Sequence, residues 1–254
     1  MRKLSNLALV CCGTVAMLAF SGPNFAEEGA VTANVTNGKN IYENGKGDSV
    51  PACATCHGDK AMGNDAMGSP RLANVGYVYI VKQLTNFAED KRQDLTMQQM
   101  NGIAKALTPQ DIRDLAAYEN SFPHEPELSD LKDLKANGTA VGEAYKGKIL
   151  VRYGVEGKVS ACQSCHGFDG RGADPVYPKI GQQKYVYLVN QLTHWRDGSR
   201  ANDPMGQMQK IARNLSDDDI HNAAAFLSQA AESTLGGGLK LDNKTVLENI
   251  KIVH

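Results

Sequence analysis

Cys53-Ala-Thr-Cys56-His57-Gly58 and, 109 residues later, Cys162-Gln-Ser-Cys165-His166-Gly167 decide how this chain is read. Outward from these two stretches the repeat continues. Gly38-Lys39 matches Gly147-Lys148 at the same offset, and from Pro70 onward the offset becomes 108. In that register Tyr77-Val78-Tyr79 faces Tyr185-Val186-Tyr187, Gln83-Leu84-Thr85 faces Gln191-Leu192-Thr193, and Arg92 faces Arg200. Met97, Gln99 and Met100 face Met205, Gln207 and Met208. So many matches in one register make the chain two copies of a module of about 100 residues.

The remaining features fit that division. With 254 residues, 42% of them hydrophobic and 22% charged, the composition is that of a globular protein and excludes disordered, collagenous and polytopic membrane classes. A formal net charge of −1 argues against nucleic acid as a partner. Residues 1–26 read as a secretory signal: Arg2 and Lys3, an apolar run from Leu7 to Phe20, then Ser21-Gly22-Pro23 before cleavage after Ala26. Cys11 and Cys12 leave with it, so the exported chain keeps four cysteines, all in the two C-x-x-C pairs. The expected divisions are an N-terminal domain over 27–122, a linker over 123–140, a C-terminal domain over 141–231 and an extension over 232–254.

Each copy reads as mainly helical. Helices are expected around 37–45 and 143–153, 76–89 and 184–197, and 109–121 and 217–230. Thr108-Pro109 and Ser216-Asp217 are N-cap signals for the last pair. Neither copy has a run of alternating strand residues, and the long loops need something else to organise them.

Cys-x-x-Cys-His is the attachment pattern of c-type haem. Two residues between the cysteines put both sulfurs on one helical turn, where they add to the vinyl groups as thioethers, and the next residue, the His, reaches the iron. A thioredoxin-like pair would need a βαβ context, and zinc would need more ligands than each half offers. The expectation is therefore two covalently attached haems c, on Cys53, Cys56 and His57 and on Cys162, Cys165 and His166. A ligand for the sixth iron position should recur at equivalent places. Met97 with Met205 and Met100 with Met208 do so, and spacing leaves both pairs open. His124, His194, His221 and His254 do not recur and read as surface or packing residues.

On Cys53-x-x-Cys56-His57-Gly58 and Cys162-x-x-Cys165-His166-Gly167, Pro70-Arg-Leu and Pro178-Lys-Ile-Gly-Gln182, Tyr79-x-x-x-Gln83-Leu84 and Tyr187-x-x-x-Gln191-Leu192, and a Met seven residues before Leu107 or Leu215, the chain resembles the dihaem cytochrome c4 family. The resemblance spans nearly all of 37–230. It implies a mainly α fold of two tandem class I cytochrome c domains, each packed around its haem. It also implies Met100 and Met208 as axial ligands, with the carbonyls of Pro70 and Pro178 accepting the N–H of the ligating His rings. The chain departs from the family pattern at Ala73-Asn74, where Gly-Gln is usual. Arg92 and Arg200 suit haem propionates, and equally a solvent-facing ion pair. Tyr79, Tyr187, Phe87 and Trp195 are spaced to pack against the porphyrin.

His/Met ligation saturates the iron and raises its potential, which describes a carrier of single electrons and not an enzyme. The implied role is a periplasmic relay between respiratory partners such as a quinol-oxidising complex and a terminal oxidase or other reductase. Peripheral association with a membrane surface is compatible with that role. Residues 27–136 carry a net −5 and residues 137–254 a net +2, so the two ends suit different partners. The alternatives are a cytochrome subunit of an oxidoreductase, as in flavocytochrome sulfide dehydrogenase, or a dihaem peroxidase. The peroxidase would need one iron with an open sixth site, whereas both copies offer Met at the same place.

Overall fold

Two equivalent helix crossings, one in each copy, organise the chain. The structure is a computed structural model that describes residues 32–123 and 125–231, so the expected signal over 1–26, the extension over 232–254, His124 and His254 lie outside the described residues. In the first copy α1 (Val35–Asn44) crosses α5 (Pro109–Glu119), and in the second α7 (Ala144–Tyr153) crosses α11 (Asp217–Ser228). The repeated glycines explain these crossings. A Cβ on Gly38 would lie 2.0 Å from the Asp114 carbonyl oxygen, and one on Gly147 would lie 1.8 Å from that of Asn222. Only glycine lets the backbones meet this closely.

Local sequence sets the helix ends. Thr108 and Asp111 form a reciprocal capping box at the start of α5, and Ser216 with Asp219 does the same for α11. Asn34 caps α1 through the Asn37 N–H, and its own N–H donates to Asp114, tying the start of α1 to α5. Behind the caps, the apolar spacing turns Ile112 and Leu115 toward Ile41 and Tyr42, and Ile220 and Leu227 toward Leu150 and Val151. Each fully buried aliphatic side chain there contributes about 1.5–3 kcal/mol.

Between the crossing helices lie α2 (Ala54–His57) and α8 (Gln163–His166), which carry the cysteines, then α3 (Tyr77–Ala88) and α9 (Tyr185–Asp197), then the short α4 (Met100–Lys105) and α10 (Gln207–Ala212). Strand pairing among the described residues is limited to isolated bridges such as Lys46 with Val50 and Val155 with Val159. No helix among them is long and apolar enough to cross a membrane.

The segment read as a linker holds a helix of its own, α6 (Leu131–Ala136), with the Asp130 side chain accepting from Lys132 and Asp133 N–H. It is fastened to the second copy: Tyr185 N–H donates to Ser129 Oγ at 2.9 Å, Gln229 to the Ser129 carbonyl at 2.8 Å, and Tyr185 O–H to the Ala140 carbonyl at 2.7 Å. The two prolines and the charges of that stretch mask the short Leu131/Leu134 apolar spacing, whose side chains pack on the second core. Ala73-Asn74 reproduces the Gly181-Gln182 turn despite the different residues: Asn74 and Gln182 are both left-handed, at φ 55° and 62°. Asn tolerates that region, and the Asn74 side chain donates to the Phe122 carbonyl.

Candidate haem sites and the joint between them

In each copy one short helix carries the second cysteine and the histidine, and the first cysteine is its N-cap. Cys53 and Cys56, and Cys162 and Cys165, are free thiols in the structure. Burial pushes the Cys53 thiol up to about 12 and Cys162 up to about 11, so both are neutral near pH 7. His57 and His166 are buried. His57 Nδ1 lies 3.0 Å from the Pro70 carbonyl oxygen and His166 Nδ1 lies 2.9 Å from that of Pro178. A carbonyl can only accept, so Nδ1 carries the proton and Nε2 keeps its lone pair. Burial also lowers both imidazole pKa values, which keeps the rings neutral. A neutral, oriented imidazole beside two unpaired thiols on one turn is the donor set that a covalent haem needs, and the residues fit it in both copies.

The methionine pairs separate by burial. Met97 is 38% exposed and Met205 is 78% exposed, whereas Met100 and Met208 are half-buried at the starts of α4 and α10. Two aspartates hold these starts. Asp94 accepts from the N–H groups of Thr96, Met97, Gln99 and Met100 at 3.0–3.3 Å. Burial works against its charge, yet these four donors hold its carboxyl below the usual range. Asp203 accepts from Met208 N–H at 2.6 Å and Gln209 N–H at 3.3 Å. Neither aspartate was singled out by the sequence, because they do not share the repeat register: Asp94 faces Asn202, and Asp203 faces Leu95. The remaining histidines that the structure describes fit a packing role, His221 meeting the Tyr185 hydroxyl at 2.8 Å and His194 lying half-buried.

The reading of Arg92 and Arg200 as a solvent-facing ion pair is corrected. Both are buried, at 7% and 5% exposure, and no carboxylate among the described residues pairs with either. They meet where the two copies join. Arg92 donates to Gln83 at 2.9 Å, to the Tyr187 hydroxyl at 3.1 Å and to Gln191 at 2.9 Å. Arg200 reciprocates, donating to Gln191 at 2.6 Å, to the Tyr79 hydroxyl at 3.2 Å and to Gln83 at 3.1 Å. The guanidinium of Arg92 lies 4.5 Å from the Phe87 ring and that of Arg200 lies 4.2 Å from the Trp195 ring. The tyrosines read as porphyrin packing thus turn their hydroxyls to the arginine of the other copy. Burial and the neighbouring Arg92 cation pull the Arg200 pKa down. A second set of bonds joins the copies: Gln183 accepts from Arg71 N–H at 2.6 Å and returns an N–H to its carbonyl at 2.9 Å, and Val186 N–H donates to Asp65 at 3.0 Å.

The chain is similar to known proteins in both sequence and fold. The chain matches the Cytochrome c family over residues 35–121 and 156–231. It is 33% identical over 208 residues to the thiosulfate dehydrogenase electron acceptor of Stutzerimonas stutzeri (strain A1501), covering 82% of this chain and 92% of that one. It is 35% identical to cytochrome c4 of Thiocapsa roseopersicina, covering 72% and 89%. Among solved structures, reduced recombinant cytochrome c4 from Pseudomonas stutzeri superposes with a TM-score of 0.61 at 27% identity, over 77% of this chain and 98% of that one. The thiosulfate dehydrogenase TsdBA of Marichromatium purpuratum superposes at 0.67 and 30% identity over 76% of this chain, which spans 40% of that larger protein.

Proposed function

Since the chain belongs to the cytochrome c family, as a dihaem electron-transfer cytochrome of the c4 type with two covalently attached haems c, we propose that it is a periplasmic relay passing single electrons between respiratory partners. The observation that carries this reading is one donor set built twice: a proline-anchored His57 or His166 in each copy, with Met100 or Met208 half-buried on the following short helix. The haem, when bound, would supply one-electron chemistry. Everything else falls to the chain. Cys53, Cys56, Cys162 and Cys165 would anchor the macrocycles, Pro70 and Pro178 fix the imidazoles through their carbonyls, and Met100 and Met208 would serve with His57 and His166 as the residues that hold the irons.

Arg92 and Arg200 complete the assignment as partners of the haem propionates. Two buried cations with only neutral acceptors call for anionic counter-charge, and haem carboxylates at the joint between the copies would supply it. The domains lie over 27–122 and 141–231, with an export signal over 1–26. The acidic first half and the mildly basic second half face different partners, a quinol-oxidising complex and a terminal oxidase or other reductase.

The test is haem counting with an optical redox titration of the exported protein. Two haems with a sulfur-to-iron charge-transfer band are expected, with Met100→Ala and Met208→Ala each removing the band of one haem. Retention of both bands in both variants would overturn the ligand assignment. A second reading has its own support in the relatives named as thiosulfate dehydrogenase electron acceptors and in the TsdBA structure. It makes this chain the electron-accepting partner of a thiosulfate-oxidising dehydrogenase. Rapid reduction by such an enzyme, and none by a quinol-oxidising complex, would select it.

A further inference from the structure

Beyond the ligands themselves, each copy carries a carboxylate bonded to the backbone of its methionine loop, and the two clamps are unequal. Asp94 spreads four N–H bonds over both oxygens, Thr96 and Met97 on Oδ1, Gln99 and Met100 on Oδ2. Asn101 braces it from behind, accepting the Asp94 N–H at 2.9 Å and donating to the carbonyls of Phe87 at 3.0 Å and Arg92 at 2.8 Å. Asp203 receives only two backbone N–H groups, both on Oδ2, with the Gln209 side chain on Oδ1 at 3.2 Å.

Register makes the case stronger. Arg92 faces Arg200 and Met100 faces Met208 at an offset of 108, but the carboxylate has shifted by one residue, from six before the methionine to five. It nevertheless meets the same atom, the methionine N–H, at 3.2 Å from Asp94 and 2.6 Å from Asp203. Coincidence of sequence position cannot produce this contact twice, since the positions do not coincide. Both loops also hold a non-glycine residue in the left-handed region, Gln98 at φ 58° and Met205 at φ 56°. A backbone held there needs a fixed surrounding, and Asp94 bonds the N–H groups on both sides of Gln98 while Asp203 bonds those of Met208 and Gln209 beyond Met205.

We propose that Asp94 and Asp203 are the positioning residues of the two methionine loops, holding Met100 and Met208 where their thioethers meet the iron, and that the fuller clamp makes Met100 the harder ligand to displace. This rests on the reading of Met100 and Met208 as axial ligands. The bonds of each aspartate run to N–H groups of the loop and of the ligand residue, so each would act through that backbone.

The test uses the haem-loaded full chain. In the reduced protein each ligating methionine has a ring-current-shifted ε-methyl resonance, and in the oxidised protein imidazole competes with it for the iron. In the unaltered protein imidazole displaces Met208 at lower concentration than Met100. Asp94→Ala raises the imidazole affinity of the first haem alone by about tenfold or more, and Asp203→Ala does so for the second alone. The asparagine variants discriminate positioning from general damage. Asp203→Asn recovers the unaltered affinity, because one carbonyl oxygen can serve both N–H groups that Asp203 Oδ2 serves. Asp94→Asn recovers it only in part, because one oxygen cannot serve four. If the alanine variants fail to take up haem, the displacement order and the asparagine pair still decide. Equal displacement of both methionines, or aspartate variants with unchanged affinities while Met100→Ala and Met208→Ala each abolish one methyl resonance, would overturn the clamp. If Met100→Ala and Met208→Ala left both resonances in place, the ligand reading would fail instead.

Discussion

Replacing Arg92 by methionine tests the joint between the copies by the sign of its effect. Arg92 and Arg200 share two acceptors: Gln83 Oε1 lies 2.9 Å and 3.1 Å from them, and Gln191 Oε1 lies 2.9 Å and 2.6 Å from them. Two cations bonded to one oxygen sit on the order of 5 Å apart, which at an effective dielectric of about 20 is a repulsion of roughly 3 kcal/mol. Burying each charge adds a desolvation cost. With no anion at the cluster, Arg92→Met would relieve both terms. Gln83 and Gln191 would keep Arg200 and only the Tyr187 hydroxyl would lose its arginine donor, so the variant would be more stable. With propionates at the cluster, the same change breaks a buried ion pair, and that costs about 3–5 kcal/mol. Urea unfolding of the haem-loaded protein, followed by haem absorbance and extrapolated linearly, reads the difference. A loss of about 3 kcal/mol is expected for Arg92→Met and a similar loss for Arg200→Met, with the double variant losing less than the sum because the acceptors are shared. A gain in stability, or a change below about 1 kcal/mol, would refute the propionate assignment.

Three further outcomes follow from the packing and the titratable groups. Gly147→Ala places a methyl against the Asn222 backbone, where neither wall is a flexible side chain, so α7 and α11 must part. A destabilisation of about 3 kcal/mol or more is expected in urea unfolding, and one below about 1 kcal/mol would show that the crossing can relax. Asp111 is pushed up by burial but held at about 2 by hydrogen bonds from Lys46 and Thr108. Its folded pKa therefore lies below the unfolded value, its stabilisation is present above about pH 4, and it is lost as pH falls through about 2. Acid titration of stability should show that loss reduced in Lys46→Met, by about 1–2 kcal/mol. Glu119 is the opposite case: burial raises its carboxyl to about 8, so the folded chain binds a proton that the unfolded chain has lost, and stability falls as pH rises from about 4.5 to 8. Leu227 stands at the corresponding place in the second copy. Glu119→Gln should flatten the fall across that window, and an unchanged pH profile of the urea midpoint would disprove the assignment.

Local sequence determined the parts of this protein whose physics is local. The C-x-x-C-H spacing puts two sulfurs and an imidazole on one turn, so the donor set offered to a haem was legible residue by residue. Thr108 and Ser216 announced their helices because capping needs only the next three residues. The repeat of Gly38 and Gly147 was visible too, although its reason, a backbone contact with Asp114 and Asn222 more than 70 residues away, was not. The tertiary structure decided the rest. For Arg92 and Arg200 the sequence left haem propionates and a solvent-facing ion pair equally open, because partners such as Tyr187 and Tyr79 lie in the other copy. The linker helix went unseen because its stability comes from packing on the second core. Asp94 and Asp203 escaped because they hold backbone N–H groups, which every residue presents and no alignment of side chains reveals. A side-chain bond into an irregular loop has no fixed spacing to read, unlike a helix cap, and a contact between two folded copies has none either; only their meeting in three dimensions shows them.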